Sequence, residues 1–222
     1  MFEPITIWYN LFMKKILLQF DYSINYEKEG IEYTIGKSDW FIENGYSKRI
    51  KLPENIKLED VDKNKPIDYL LENAEKEYNQ EDYSKIENTV TEQWSKFSPK
   101  LEQYFEETSL VPEDLYLIQL TRYGVGGSYN LPNEVIVNFQ GKFGTRVLKT
   151  IIHEIVHLSI QQFIDKYNIG HWEKERLVDL ILSKIVPEIS KIRDLSIDTK
   201  PIDESFNKNY PDIEKIIKNS KI

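Results

Sequence analysis

The chain contains no cysteine. This absence excludes a disulfide scaffold, a cysteine nucleophile, iron–sulfur ligation and zinc sites built from thiolates. Histidine is scarce as well, with three in 222 residues. Any metal site must therefore use histidine and carboxylate ligands, and the positions of the histidines become the most informative feature of the sequence.

Long apolar runs are also missing, since no stretch approaches the roughly 20 apolar residues that a membrane-spanning helix needs. The segment from Met13 to Leu18 begins like a secretory signal, but its apolar run stops at Gln19 and Asp21, and no small-residue cleavage site follows. We therefore expect a buried strand or helix here. The default expectation is a cytoplasmic protein without a membrane partner, although release by another route would leave no mark in the sequence.

Negative charge exceeds positive charge, with 37 acidic against 29 basic residues. The resulting formal charge of −8 matches the phosphate backbone poorly, so nucleic acid is not an expected partner. Spread over the whole chain, this charge is typical of a solvated exterior and does not define the charge of a substrate. The 40% hydrophobic and 13% aromatic content predicts a folded protein with its own core.

The first region of the chain, residues 1–110, mixes two patterns and is expected to pack on the rest. Between Ile31 and Ile50, β-branched and aromatic residues with Asn44-Gly45 predict short strands joined by a hairpin. From about Ile67 to Thr108, apolar residues recur every three or four positions, which predicts helices. Pro99 is expected to mark a break or a new helix start.

The second region, residues 111–196, carries two strand candidates and two helix candidates. The strands are expected from Leu115 to Leu120 and from Val135 to Phe139, and the helices from Thr145 to Tyr167 and from His171 to about Val186. Residues 197–222 are polar and predict a loosely attached tail with a short helix near Ile213 to Ile217. The expected fold class is α+β, with a small mixed sheet packed on the 145–167 helix and a mostly helical remainder.

Two of the three histidines fall in the segment His153-Glu154-Ile155-Val156-His157. Residues four apart lie on the same face of a helix, so both imidazoles can reach one ion at about 2.0–2.1 Å, and Glu154 can face a water at the metal. The segment also has a broad apolar face, as a helix packed under a sheet requires. The alternative is a core helix whose histidines are only hydrogen-bonded, but the pair with its intervening glutamate favours a metal site.

A catalytic zinc takes three protein ligands and keeps one position for water, so a third ligand must come from another part of the chain. The next helix offers His171, Glu173, Glu175 and Asp179. His171, Glu175 and Asp179 repeat every four residues and share a face, whereas Glu173 lies about 200° round the helix from Glu175. We therefore predict Glu175 as the third ligand. Asp179 is predicted to accept a hydrogen bond from the second ring nitrogen of a metal-bound histidine.

The pattern His153-Glu154-x-x-His157 followed by Glu175-x-x-x-Asp179 resembles the signature of the gluzincins, the thermolysin-like branch of the zincin metallopeptidases. The resemblance implies a zincin-like fold, one Zn²⁺ per chain and a peptide or protein substrate. In that family the glutamate of the second helix is the third zinc ligand, and the acid four residues later supports the site. The metzincin pattern, with a glycine and a third histidine shortly after HExxH, is absent.

The resemblance covers residues 115–186 and implies two further features of the site. One is an edge strand, antiparallel to bound substrate, just before the active-site helix, for which Ser128 and Tyr129 are the candidates. The other is a donor that stabilises the oxyanion of the transition state. His171 is the candidate for this role, with Tyr123 and Tyr129 as weaker ones. Packing or capping is the alternative role for each of these side chains.

The function implied by these residues is zinc-dependent hydrolysis of a peptide bond, with Glu154 as the general base. Two alternatives stay open at this point. One is a binding or regulatory protein that keeps a zincin fold without turnover, and the other is a metallohydrolase that acts on a non-peptide bond. All three would bind zinc, so metal content alone does not separate them.

Overall fold

The computed structural model of the chain describes residues 15–62 and 66–220, which contain four strands and eight α-helices. The strands are β1 (Leu17–Asp21), β2 (Leu115–Thr121), β3 (Gly127–Asn130) and β4 (Glu134–Asn138). The helices are α1 (Ile24–Gly36), α2 (Ser38–Glu43), α3 (Asp68–Glu77), α4 (Gln80–Thr108), α5 (Thr145–Tyr167), α6 (His171–Ile185), α7 (Lys200–Asn209) and α8 (Ile213–Asn219). The first two residues of the signal-like segment, Met13 and Lys14, lie outside the described residues.

The strands form one sheet in the order β1-β2-β4-β3. β1 and β4 run parallel to β2, and β3 runs antiparallel to β4 at one edge. Alternate side chains of the two central strands are fully buried, as the two-residue period of a half-covered sheet requires: Ile118, Leu120, Val135 and Val137. The expected α+β class with a small mixed sheet is thereby confirmed. Because β1 belongs to the first region, this sheet joins the first and second regions.

Helix α5 lies at the centre of the molecule, packed against β3 and β4 and also against α4, α6 and α8. Its apolar residues are buried on several faces: Val147, Leu148, Ile151, Ile152, Ile155 and Val156. A helix covered in this way leaves only a narrow strip for polar side chains. Neither α5 nor another helix within the described ranges combines the length and hydrophobicity needed to cross a bilayer.

The prediction of strands between Ile31 and Ile50 was wrong, because α1 and α2 occupy most of this segment. The side chain of Ser23 caps α1 by accepting a hydrogen bond from the Tyr26 N–H at 3.2 Å. Ile31 and Phe41 are buried in a second, smaller core. The β-branched and aromatic composition suggested strands, but tertiary packing of the apolar helix faces decided the outcome.

The helices expected between about Ile67 and Thr108 are confirmed as α3 and α4, but the break expected at Pro99 was wrong. Pro99 lies inside α4, which continues without interruption to Thr108. Proline removes one backbone hydrogen bond from a helix interior. The buried side chains of Phe97, Leu101 and Tyr104 hold α4 in the main core on both sides of this position, and their packing outweighs the loss.

The prediction of a loosely attached tail at residues 197–222 was also wrong. The short helix near Ile213 to Ile217 is confirmed as α8, but α7 precedes it and both helices pack on the rest of the protein, α7 against α6 and α8 against α5. Five of their apolar side chains are buried in the main core: Ile202, Phe206, Ile213, Ile216 and Ile217. This segment is therefore an integral part of the fold.

The contribution of the C-terminal helices can be measured at Phe206, whose side chain is 2% exposed. Phe206→Ala is expected to lower the free energy of unfolding by about 3–5 kcal/mol, because it removes buried apolar surface and leaves a cavity. Urea denaturation measures this difference. Lys208→Ala, at an exposed position of the same helix, is the control and should change stability by less than about 0.5 kcal/mol. Equal stability of the two variants would contradict the integral role of α7.

Candidate metal centre

Helices α5 and α6 bring the three predicted ligands together. The Nε2 atoms of His153 and His157 lie 3.0 Å apart. Glu175 of α6 places its Oε1 atom 3.2 Å from Nε2 of His157 and its Oε2 atom 3.5 Å from Nε2 of His153. His157 and Glu175 are buried, and His153 is partly buried. Two imidazoles and one carboxylate thus converge on one point.

The spacing of these donor atoms fits a zinc ion. Donors bound to a tetrahedral zinc at about 2.0–2.1 Å lie about 3.3 Å from one another. The two imidazole nitrogens are 3.0 Å apart, and each has one oxygen of the Glu175 carboxylate at 3.2 or 3.5 Å, which is close to this value. Two histidines and one glutamate are also a donor set that catalytic zinc sites use. The residues therefore match a zinc ion in both chemistry and geometry.

Glu154 lies next to this cluster and is 5% exposed. One of its carboxylate oxygens is within 4.8 Å of ring nitrogens of His153 and His157, whereas the Glu175 oxygens are closer. Glu175 is therefore the carboxylate nearer to the two histidines. Burial raises the pKa of Glu154 to about 7, against the lowering effect of His153.

Burial and hydrogen bonding set the protonation of the ligands. Burial lowers the pKa of His157 to about 4, so its imidazole is neutral, which is the form that binds a metal. Burial acts to raise the pKa of Glu175, but the hydrogen bonds with His153 and His157 outweigh it and hold that pKa well below its usual range. At neutral pH the cluster therefore offers a neutral imidazole beside an ionised carboxylate.

Asp179 does not take the partner that the sequence predicted. Its carboxylate accepts hydrogen bonds from Arg193, from Nε at 2.7 Å and from Nη2 at 2.8 Å. The Nη2 atom of Arg193 also donates to Oε2 of Glu175 at 2.9 Å. Nδ1 of His157 is buried and has no hydrogen-bond partner among the described residues. Asp179 thus supports the carboxylate ligand through Arg193, and the expected bond to a histidine ligand was wrong.

Strand β3 is the sheet edge next to the cluster, where the sequence placed Ser128 and Tyr129. The carbonyl of Gly126 accepts from the Asn138 N–H at 3.3 Å, and hydrogen-bonded pairs alternate along an antiparallel ladder. Ser128 therefore directs its main chain toward β4, and it is one of the residues that line the cleft. The main-chain groups that face the open edge are those of Gly127 and Tyr129.

The two tyrosines considered as oxyanion donors have other roles. The Tyr129 ring stacks on His157 at 5.2 Å between centroids and an interplanar angle of 13°. Its hydroxyl donates to Oε1 of Gln161 at 2.6 Å and accepts from Nζ of Lys174 at 2.9 Å. Tyr123 belongs to the second core, and its hydroxyl donates to Glu77. Tyr129 therefore packs against the ring of His157, and Tyr123 supports the fold.

His171 lies on one wall of the cleft, which has a volume of about 750 Å³. Its Nε2 atom is 2.6 Å from the hydroxyl of Tyr46. The Tyr46 ring stacks on Trp172 and on Trp40, with ring centroids 6.0 and 5.7 Å apart. Trp40 and Tyr46 belong to the first region, so residues far from the HExxH segment complete the cleft. No local pattern in the sequence pointed to Tyr46, which is one of 14 tyrosines, or to Arg193.

Gly127 allows β3 to approach α5 closely. A Cβ atom at this position would lie 2.5 Å from Oε1 of Glu154 and 2.6 Å from Cγ2 of Thr150. Gly127→Ala is therefore expected to lower the free energy of unfolding by about 1–3 kcal/mol, measured by chemical denaturation. The matched control is Gly30→Ala in α1, where a Cβ meets nothing within 4 Å. It should raise stability by about 0.5–1 kcal/mol, and the same gain at Gly127 would contradict the close approach.

Comparison of the chain with protein-family models, curated proteins and solved structures found no match. A functional assignment therefore depends on the chemistry of the cleft alone. That chemistry consists of two imidazoles, a ligand carboxylate, a second carboxylate beside them and an open strand edge.

Proposed function

We propose that this protein is a zinc-dependent peptidase of the gluzincin type. His153, His157 and Glu175 would hold one Zn²⁺, and Glu154 would act as general base. The observation that carries this proposal is the convergence of two imidazole nitrogens and the Glu175 carboxylate, with N–N and N–O distances of 3.0 to 3.5 Å, next to a buried fourth side chain with acid–base capacity. The arrangement of α5, α6 and the edge strand β3 supports the zincin resemblance of the motif.

The chain supplies the proton transfers of the reaction. When bound, zinc polarises the scissile carbonyl and makes a water nucleophilic near neutral pH. Glu154 accepts the proton of that water and passes it to the leaving amine. Its carboxylate lies within 4.8 Å of the ligand nitrogens, which is close enough to hydrogen-bond to a water held among them. Arg193 and Asp179 keep Glu175 oriented, and Tyr129 does the same for His157.

The open edge of β3 favours a peptide over a non-peptide substrate. The outward main-chain groups of Gly127 and Tyr129 can pair with an extended peptide, which binds to a sheet edge through backbone hydrogen bonds. His171, fixed by its contact with the Tyr46 hydroxyl, is the proposed donor to the developing oxyanion. Neither feature is needed by a protein in which zinc serves structure alone.

The role of Glu154 is tested by Glu154→Gln. This variant should keep one zinc per chain, because Glu154 is not a ligand, and its kcat should fall by about 10²–10⁴-fold, because the general base is lost. Metal content is measured by atomic emission. Turnover is measured by mass spectrometry on a diverse peptide library, with and without a chelator. A variant that keeps its zinc and also full activity would contradict the mechanism.

The ligand assignment is tested by a matched pair of variants on α6. Glu175→Gln should lose zinc and activity, whereas Glu173→Gln should keep both, since Glu175 lines the cleft and Glu173 does not. Equal zinc content in the two variants would reject Glu175 as a ligand. If the zinc-loaded wild-type protein cleaves no peptide in the library, the peptidase proposal fails in favour of a binding protein or a hydrolase of another bond.

A further inference from the structure

The cleft carries a charge opposite to that of the whole protein. Seven lysine and arginine side chains line it against three carboxylates, although the net charge of the chain is −8. Two of the three carboxylates, Glu175 and Asp179, are already paired with Arg193. Among the other lining residues, cations therefore outnumber the single remaining carboxylate, Glu154.

Three of the seven cations, Lys142, Arg146 and Lys149, lie at the start of α5 and in the loop before it. Within the described ranges, no carboxylate oxygen comes within 4.0 Å of the charged nitrogens of these three side chains. Lys142 donates instead to the carbonyl of Gly126 at 2.6 Å. None of the three cations therefore makes an ion pair within the described protein, although the Glu154 carboxylate attracts Lys142 from a longer distance.

One of these cations occupies an unfavourable position in its helix. Arg146 lies in the first turn of α5, where the partial positive charge of the helix end disfavours cations, and Lys149 follows in the second turn. The first turn has no acidic residue, and no side chain caps the helix. Departures from such local rules are expected at functional sites, and a bound anion would remove the conflict.

The direction of a bound peptide follows from the position of β3 on α5. Gly127 contacts the Thr150 level of α5, and Tyr129, two residues later, stacks on His157. β3 and α5 therefore run in the same direction. A peptide paired antiparallel to β3 runs the opposite way, from the His157 level toward the Thr150 level, so its C-terminal part lies over the start of α5.

The distance along the helix gives the register of the peptide. Lys149 and Arg146 precede His153 by four and seven residues, which corresponds to about 6 and 10 Å along the helix axis. An extended peptide advances about 3.4 Å per residue. The cations therefore lie level with the second and third residues after a bond at His153. Because successive side chains of an extended peptide point to opposite faces, one of these two residues directs its side chain toward the cations.

We propose that the cleft selects peptides with a carboxylate at the second or third position C-terminal to the scissile bond, on whichever of the two side chains points toward α5, bound by Lys142, Arg146 and Lys149. This inference rests on the proposed function, which defines the position of the scissile bond. The carboxylates come from Asp or Glu side chains, or from the end of the peptide when the bond lies near its C-terminus. The surrounding acidic surface repels such peptides elsewhere on the protein.

The test uses three versions of one peptide that the zinc-loaded protein cleaves. The first has Asp at both positions and an amidated C-terminus, the second has Asn at both and is also amidated, and the third has Asn and ends with a free carboxylate at the third position. The Asp peptide should show about tenfold higher kcat/KM than the amidated Asn peptide, and salt should reduce the difference. If only the third peptide has a higher kcat/KM than the amidated Asn peptide, the subsite binds the terminal carboxylate.

The cations are tested with Arg146→Gln/Lys149→Gln, which should reduce the advantage of the Asp peptide to less than about twofold. The charge-matched control is Lys96→Gln/Lys215→Gln, at two exposed positions outside the cleft, and it should keep the full advantage. Equal cleavage of all three peptides by the wild-type protein would overturn the inference. A preference for acidic residues before the scissile bond would overturn it as well.

A binding measurement separates this inference from the proposed function. Fluorescein-labelled Asp and Asn peptides are titrated with zinc-loaded Glu154→Gln, and the anisotropy gives Kd. About tenfold tighter binding of the Asp peptide, lost in the Arg146→Gln/Lys149→Gln background, supports the anion subsite even if no peptide is hydrolysed. Hydrolysis without such a difference in Kd or kcat/KM would reject the subsite and leave the peptidase proposal intact.

Discussion

The site depends on the packing of α6 against α5. Helix geometry alone places His153 and His157 on one face, but only this packing brings the oxygens of Glu175 to 3.2 and 3.5 Å from their ring nitrogens. A buried carboxylate is costly unless it is paired and hydrogen-bonded. Arg193, which follows α6 in the chain, supplies part of that pairing and binds Asp179 at the same time. The ligand position therefore depends on a chain segment beyond the two helices that carry the motif.

A second constraint is the short distance between β3 and α5. Because Gly127 lacks a side chain, the main chain of the edge strand lies directly over Glu154 and Thr150. The strand edge and the carboxylate are thus parts of one packed unit, with α4 and α8 supporting α5 from other sides. Groups held on rigid elements in this way need little rearrangement when a substrate binds.

The parts of the fold and site that the sequence predicted are those with a local signal. The spacing within His153 to His157 and the strong helical period around it identified α5 and α6 with their bounds. Residues 31–50 were misread because composition suggested strands, while the Ser23 cap and the spacing of apolar residues favoured helices. In the last 26 residues, average polarity concealed Ile202 and Phe206, which lie one helical turn apart and are buried. Tyr46 and Arg193 reach the site only through tertiary contacts, for which no local pattern exists.

Net charge, like average polarity, is an average over the chain and does not predict the properties of one site. A net charge of −8 describes the chain, whereas the potential inside a cleft depends on which side chains folding brings together. Lys142 comes from the loop before α5 and Arg49 from the first region, so the cationic character of the cleft exists only in the folded protein. An acidic exterior around a basic cleft would also sharpen selection. A peptide that carries carboxylates is attracted only inside the cleft and is repelled elsewhere on the protein. Both parts of the surface therefore favour binding in the cleft.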